Sequence, residues 1–298
     1  MELREIYHSF PSLSGRVHAL QGVSAELPSK GIVGLLGPNG SGKTTLLRII
    51  MGIISPESGE IWYKGQPLSK TMRLRFGYMP EERGLYPKMT ARSQLFYLLR
   101  LRGMSPSTVS DKIAYWVKRL EMPWIDRPAR SLSKGMQQKV QLVLALEGDP
   151  PVLLLDEPFS GLDPIVSTDI EALLREKAQK DTLIILSTHR LEQVDHLCDY
   201  VLLIHKGRLV LAGETDAIRR RFWSHTYEIE IDRLLEQIQL PEGVKVAEVK
   251  MNRIYLTLSE NLSGQTLLEA LLPQAEIRFF AQKLPTIRDI FLQVVGEA

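Results

Sequence analysis

The chain has 298 residues, 44% hydrophobic and 24% charged, a balance that supports one or two packed domains and excludes collagen-like, disordered and low-complexity classes. Lysine plus arginine number 37 against 35 for aspartate plus glutamate, a formal charge of +2, so the overall charge calls for no polyanionic partner. Cys198 is the single cysteine, which leaves no intrachain disulfide or cysteine-rich metal cluster, and no stretch reaches the roughly 18 apolar residues of a membrane span.

In chain order, the opening MELREIYHSF lacks the continuous apolar run of a signal peptide. Val17 to Leu20 and Val23 to Leu27 read as short strands of a small antiparallel layer, which Gly59 to Tyr63 continues after a turn at Ser55 to Gly59. Between them, the apolar Gly31 to Leu36 runs directly into GPNGSGKTT and then LLRIIMG, the order strand, glycine loop, helix. From about residue 90 to 146 the pattern becomes helical, over Ala91 to Leu101, Val109 to Leu120 and Met136 to Leu146, as in a subdomain inserted between strands. Val152 to Leu155, Thr182 to Ser187 and Val201 to His205 are short apolar strands, separated by helical stretches at Thr168 to Gln179 and Leu191 to Asp195. Apolar strands alternating with helices predict a mainly parallel sheet covered on both faces.

A first domain is expected to span 1–217 and a second 218–298. Strands at Tyr227 to Ile231, Val244 to Lys250, Arg253 to Leu258 and Ala275 to Phe280, with helices at Leu262 to Leu271 and Thr286 to Val295, predict a small C-terminal α+β domain. The basic run Arg219 to Arg221 reads as a solvated linker.

Gly37-Pro38-Asn39-Gly40-Ser41-Gly42-Lys43-Thr44 has the spacing of a phosphate-binding loop in the context that gives the pattern meaning, after a strand and before a helix. Its glycines let backbone N–H groups turn inward around a phosphate, and the helix N-terminus adds positive potential. Lys43 reaches the terminal phosphates and the Thr44 hydroxyl suits Mg²⁺, with Thr45 following; Asn39 and Ser41 belong to the same nucleotide-binding loop, where simply filling turn positions is their alternative reading. Asp156 and Glu157 end an apolar strand, where an α/β sheet collects ligands: one acid can serve the metal and the other the attacking water. Acids in that place also form turns, but beside Lys43 and Thr44 the phosphoryl-transfer reading is the stronger.

Further motifs follow. Leu132-Ser133-Lys134-Gly135-Met136-Gln137 precedes a helix, Ser160-Gly161-Leu162-Asp163 follows the acidic strand, and His189 ends Ser187-Thr188-His189. Taken alone, Ser133 is an ordinary helix cap, Asp163 a turn residue and His189 a structural donor. Together and in this order they resemble the ATP-binding cassette (ABC) family, as signature loop, D-loop and switch histidine. The resemblance covers about residues 1–217 and implies an α/β fold: a P-loop NTPase cassette with a RecA-like core, an antiparallel β layer and a helical subdomain.

It also implies two cassettes packed head to tail, each ATP enclosed by the phosphate loop of one and the signature loop of the other. Ser133 and Gly135 would then touch the nucleotide held by a second copy or a paralogue, and Asp163 would lie at the seam. His189 would hold the γ-phosphate and steady Glu157. Three positions depart from the family pattern. Glu81 stands where most cassettes have a glutamine near Mg²⁺; Lys134 and Met136 alter the signature; and no aromatic precedes Gly15, where Ser14 stands, at the place the family uses to stack adenine, so Tyr7, Phe10 or His18 would have to serve.

The Glu81-Glu82-Arg83-Gly84 variant and the small C-terminal domain resemble one branch, bacterial or archaeal exporters of the ABC-2 or sodium-extrusion type with a separate permease chain. The implied function is an ATPase with ATP and Mg²⁺ at its site, peripheral to the cytoplasmic face of a membrane and powering transport, with export as the expected direction. The segment from Glu81 to Tyr86, with Leu85 and Met89, is the expected permease contact. Two alternatives are a soluble ABC ATPase acting on nucleic acid or ribosomes and a nucleotide-gated binding module without turnover. The single phosphate loop and near-neutral charge disfavour the first, and no nucleic acid is expected.

Overall fold

The computed structural model describes residues 1–12, 15–82, 84–233, 235–251, 253–259 and 261–296; Ser14 and Arg83 lie outside them. The chain divides into two compact units, Met1–Glu214 and Thr215–Ala298.

The first unit opens with β1 (Glu2–Ser12) and β2 (Gly15–Glu26), an antiparallel pair whose register shifts at several bulges. The two short strands expected at 17–20 and 23–27 are one. Gln21 pairs with Tyr7 and Val23 with Ile6, so Gly22, at φ 76°, is absorbed as a bulge rather than ending the strand. β3 (Gly31–Leu36) leads through the phosphate loop into α1 (Lys43–Met51). β4 (Ser58–Tyr63), β5 (Gln66–Pro67) and α2 (Lys70–Arg73) follow, then β6 (Gly77–Met79), the helices α3 (Ala91–Leu101), α4 (Pro106–Arg119) and α5 (Lys134–Leu146), and β7 (Val152–Asp156). The unit closes with α6 (Pro164–Gln179), β8 (Leu183–Thr188), α7 (Leu191–Leu197), β9 (Tyr200–His205) and β10 (Arg208–Glu214). The sequence pattern missed β1, β5, β6, β10 and α2: β5, β6 and α2 are too short, and β1 and β10 too mixed in polarity, to show a period.

Two sheets result. One is antiparallel, in the order β2-β1-β4-β5; the other runs β10-β9-β3-β8-β7-β6, parallel except for β10. β7 and β8 are buried along their whole length, as expected of central strands covered on both faces. A hydrophobic core formed by Ile6 and Val23 from the antiparallel layer, Leu46 and Ile50 from α1, and Val33, Leu154 and Ile185 from the parallel sheet joins the layers. Because β3, β8 and β7 are neighbours and parallel, the segments leaving their C-terminal ends emerge side by side. Those segments carry the phosphate loop, His189 and Glu157.

Side-chain caps set where the helices begin. Thr90, Ser105, Ser133 and Asp163 each accept a hydrogen bond from a backbone N–H in the first turn of α3, α4, α5 and α6. α5 and α6 therefore start earlier than apolar periodicity indicates.

The second unit comprises α8 (Thr215–Arg221), β11 (Thr226–Ile231), β12 (Val244–Lys250), β13 (Arg253–Leu258), α9 (Gly264–Leu271), β14 (Ile277–Gln282) and α10 (Ile287–Gly296). Its antiparallel sheet runs β12-β13-β11-β14, and Ile229, Leu256, Leu267 and Leu271 centre its own core. Arg219 to Arg221, read from the sequence as a solvated linker, form the last turn of α8, where cations suit the helix dipole, with Arg220 and Arg221 exposed.

Candidate nucleotide site

β3 is fully buried beyond its first residue and delivers the chain to Gly37 at the C-terminal end of this interior strand. Gly37 and Gly42 have positive φ, 148° and 110°, and neither has room for a side chain: a Cβ would lie 2.1 Å from the Ile204 carbonyl oxygen in the first case and 2.4 Å from that of Ala19 in the second. The tight loop then opens α1. Lys43 is its first residue, 6% exposed, and its Nζ donates to the carbonyls of Gly37 at 2.8 Å and Pro38 at 3.1 Å. An ammonium has three donors, so one remains for a ligand. Burial lowers the Lys43 pKa, opposed by Glu157, Asp156 and Glu81.

The loop borders a pocket of about 490 Å³, lined by Phe10, Val17, Ala19, Asn39, Gly40, Gly42, Lys43, Thr44, Thr45, Glu81, Asp156, Glu157 and His189. That volume lies within the range of small-molecule sites, roughly 300–1,000 Å³. At its acidic end, Asp156 Oδ1 accepts from the Thr44 hydroxyl at 3.1 Å, while Oδ2 is buried without a hydrogen-bond partner. Glu157 is 7% exposed and adopts φ 51°, left-handed backbone that a residue with a side chain rarely takes. Its Oε2 lies 2.9 Å from His189 Nδ1. Burial pushes the Glu157 carboxyl up from its ordinary value and Glu81 adds to this, while the hydrogen bond and charge of His189, and Lys43, oppose it.

Ser133, Gly135 and Asp163 are absent from this lining. Ser133 Oγ accepts from Met136 N at 3.2 Å and Asp163 Oδ1 from Val166 N at 2.9 Å, so within one chain both act as helix caps. Gly135 has a local packing reason as well, since a Cβ there would sit 3.2 Å from Leu162 Cδ2. Gly37, Pro38 and Ser41 of the loop are also absent from the lining; Ser41 is 3% exposed.

The pocket does contain an aromatic side chain. Phe10 faces Val17 across the β1–β2 pair, and both line the pocket beside Ala19, whereas Tyr7 and His18 do not. The strand that leads to Ala19 offers no aromatic of its own; the signal that singles out Phe10 is its hairpin pairing with that strand. His18 Nδ1 instead contacts Ser9 Oγ at 3.0 Å.

Beside the pocket, Gln94 is fully buried and fixes the segment after Glu81: its Oε1 accepts from Tyr86 N at 2.8 Å, and its Nε2 donates to the carbonyls of Tyr86 and Met89. Leu85 and Met89 are half-buried, while Tyr86 is exposed with its ring centroid 6.5 Å from that of Tyr97; Phe96, Tyr97 and Leu101 of α3 are exposed as well. α5 reaches the site from the other side, with Gln141 Nε2 donating to the Glu82 carbonyl and Gln138 Nε2 to the carbonyls of Glu157 and Pro158.

Two family models match the chain: "ABC transporter" over residues 20–160 and "ATP-binding protein DrrA1-3-like, C-terminal domain" over 213–295. An ABC transporter ATP-binding protein of Bacillus subtilis, YhaQ, itself uncharacterized, is 35% identical over 95% of both chains. The Nod factor export ATP-binding protein I of Bradyrhizobium diazoefficiens is 32% identical, covering 88% of this chain and 87% of its own. A dimeric post-hydrolysis structure of the ATP-binding cassette MJ0796 with ADP and Pi superposes with a TM-score of 0.65 at 22% identity, covering 72% of this chain and 97% of that one; the shared feature is the α/β cassette fold.

Proposed function

The chain belongs to the ATP-binding proteins of ABC transporters, and from that premise we propose how its own residues hydrolyse ATP and pass the result to a transporter. The ATPase activity and its transport role come with the family; the residue roles below are our reading. The observation that carries it is the convergence of Lys43, Asp156, Glu157 and His189 on one pocket.

Phe10 stacks on the adenine, and the backbone of residues 37–44 with Lys43 and Thr45 holds the phosphates. The residues present fit a divalent cation. Asp156 is 1% exposed with Oδ2 unpartnered, a costly state for a carboxylate oxygen that a cation relieves, and the Thr44 hydroxyl and Glu81 border the same pocket. Thr44, Asp156 and Glu81 would hold Mg²⁺, which when bound supplies positive charge to the phosphate oxygens. Glu157 aligns a water and accepts its proton as the water's oxygen bonds to the γ-phosphorus; the bond from that phosphorus to ADP breaks, leaving ADP and phosphate. His189 fixes the Glu157 carboxylate through Nδ1 and keeps Nε2 for the γ-phosphate.

Ser133, Gly135 and Asp163 serve a second copy or a paralogous cassette, since they lie away from the pocket of their own chain. Closure around ATP and reopening after phosphate leaves then becomes a shift between two states that the γ-phosphate distinguishes. Among the described residues no helix is long and apolar enough to cross a membrane. In this reading the route belongs to separate permease subunits, with this chain peripheral on the cytoplasmic face and Tyr86, Phe96, Tyr97 and Leu101 at the contact. The relative that works in Nod factor export supports export as the direction.

The test is affinity purification of the tagged chain from detergent-solubilised native membranes. Recovery of a multispanning protein with MgATP turnover in the same fraction is the expected result; a ribosomal or nucleic-acid complex instead would replace the transport reading.

A further inference from the structure

Ser187 lies on β8, 0% exposed, directly between the strands that carry the phosphate loop and the two acids. In the parallel register it pairs with Leu35 on one side and Asp156 on the other. Paired residues of parallel strands project to the same face, and the Ser187 hydroxyl accordingly donates to Asp156 Oδ1 at 2.6 Å. The same oxygen accepts from the backbone N–H of Glu157 at 2.9 Å. One hydroxyl thus donates to one acid and accepts from the backbone of the next.

Its effect on Asp156 is directional. Oδ1 already takes hydrogen bonds from Ser187 and Thr44, whereas Oδ2 has none, so two bonds to one oxygen fix the carboxylate beside the pocket and leave the other oxygen without a partner. Its effect on Glu157 is conformational. That residue stands at φ 51°, and a left-handed backbone at a residue with a side chain persists only when neighbours enforce it. The bond from Glu157 N to Ser187 Oγ is such a restraint, and it satisfies an N–H that is otherwise buried.

We propose that Ser187 is a positioning residue for ATP hydrolysis, whose hydroxyl fixes the Asp156 carboxylate in the orientation in which it meets the divalent cation and holds the Glu157 backbone so that its carboxylate meets His189. The inference rests on the nucleotide reading above. An alanine leaves Asp156 Oδ1 with the longer bond from Thr44 alone and Glu157 N without an acceptor; a threonine keeps a hydroxyl in place. Groups that orient a metal ligand typically change affinity or activity by about 10–100-fold when removed.

The experiment uses the purified full chain with Mn²⁺ as a paramagnetic probe. Binding of Mn²⁺ to the ADP complex is followed by electron paramagnetic resonance, and turnover is measured with Mn²⁺ or Mg²⁺ across ATP concentrations. S187A is expected to weaken Mn²⁺ binding about tenfold or more and to lower kcat by about 10–100-fold, with KM for ATP changed by less than about threefold. S187T is expected to stay close to the unaltered chain in both readouts. S187C, similar in shape with a much weaker hydrogen-bonding group, should fall on the side of S187A and serves where S187A does not fold. Unchanged Mn²⁺ affinity in S187A or S187C, or an S187T as impaired as S187A, overturns the proposal. Titration of a fluorescent ATP analogue in EDTA separates the two levels: an unaltered chain that binds no nucleotide defeats the site reading itself, whereas nucleotide binding shared by all variants without a metal effect defeats only the role of Ser187.

Discussion

The pocket around Lys43 and the signature loop around Ser133 belong to the same unit yet differ in how completely one chain builds them. Around Lys43 the catalytic groups already face each other: Glu157 meets His189 at 2.9 Å and Asp156 meets Thr44 at 3.1 Å. Around Ser133 the hydroxyl is turned to its own helix, capping Met136 N. The first arrangement is stabilised by neighbouring strands of one sheet, while the second has local partners only. In the proposed function these are a catalytic half assembled in advance and a closing half satisfied elsewhere until a nucleotide arrives, as a switch driven by ATP needs.

The largest expected effect separates the two halves directly. Glu157→Gln removes the proton acceptor while preserving shape, so turnover should fall by about 10²–10⁴-fold while ATP still binds. Because the γ-phosphate is then retained, size-exclusion chromatography with MgATP should show a dimer; a variant that stays monomeric under those conditions breaks the proposed closure.

A mixing experiment sharpens the comparison. Lys43→Ala and Ser133→Arg should each abolish most turnover, the first by emptying the phosphate loop and the second by obstructing the closing loop. Combined in one preparation, they leave mixed dimers with one intact site, made from Lys43 of one chain and Ser133 of the other. Partial recovery of ATPase activity is expected, and a mixture as inactive as its components would mean that the two loops do not share a nucleotide.

The smallest effect concerns the base. Phe10→Ala should weaken nucleotide binding by about 1–3 kcal/mol, the usual scale for a base stacked on an aromatic ring, and leave kcat at saturating ATP nearly unchanged. Equal affinity in a fluorescent-nucleotide titration would place the base elsewhere.

Much of the site could be read from residues alone, and the reasons are local. A phosphate loop must have glycine where φ is positive and backbone crowds in, as at Gly37 and Gly42, and must be followed by a lysine at the helix start; such demands act within a few residues and leave a fixed pattern. Asp156 and Glu157 are visible for a related reason, since acids after a buried apolar strand are conspicuous. Phe10 was harder because its relation to the phosphate loop passes through a cross-strand pair, and strand pairing leaves no mark at a fixed distance along the chain. Ser187 was harder still: a serine at the end of an apolar strand has no signature of its own, and its two bonds exist only because β8 lies beside β7 in one register.

The amino-acid order alone supplied the inventory, a glycine loop with its lysine, paired acids after an apolar strand, a histidine and a Ser-Lys-Gly turn before a helix, because each is a short run of residue types read within a few positions. It also determined the alternation of strands and helices, through hydrophobic period. Only the tertiary structure decided which of those groups share a pocket. Strand order and register brought Phe10, Lys43, Asp156, Glu157 and His189 together and left Ser133 and Asp163 capping helices away from it. Those choices depend on how sheets bury their faces against one another, a property of the packed chain that no local run of residues carries.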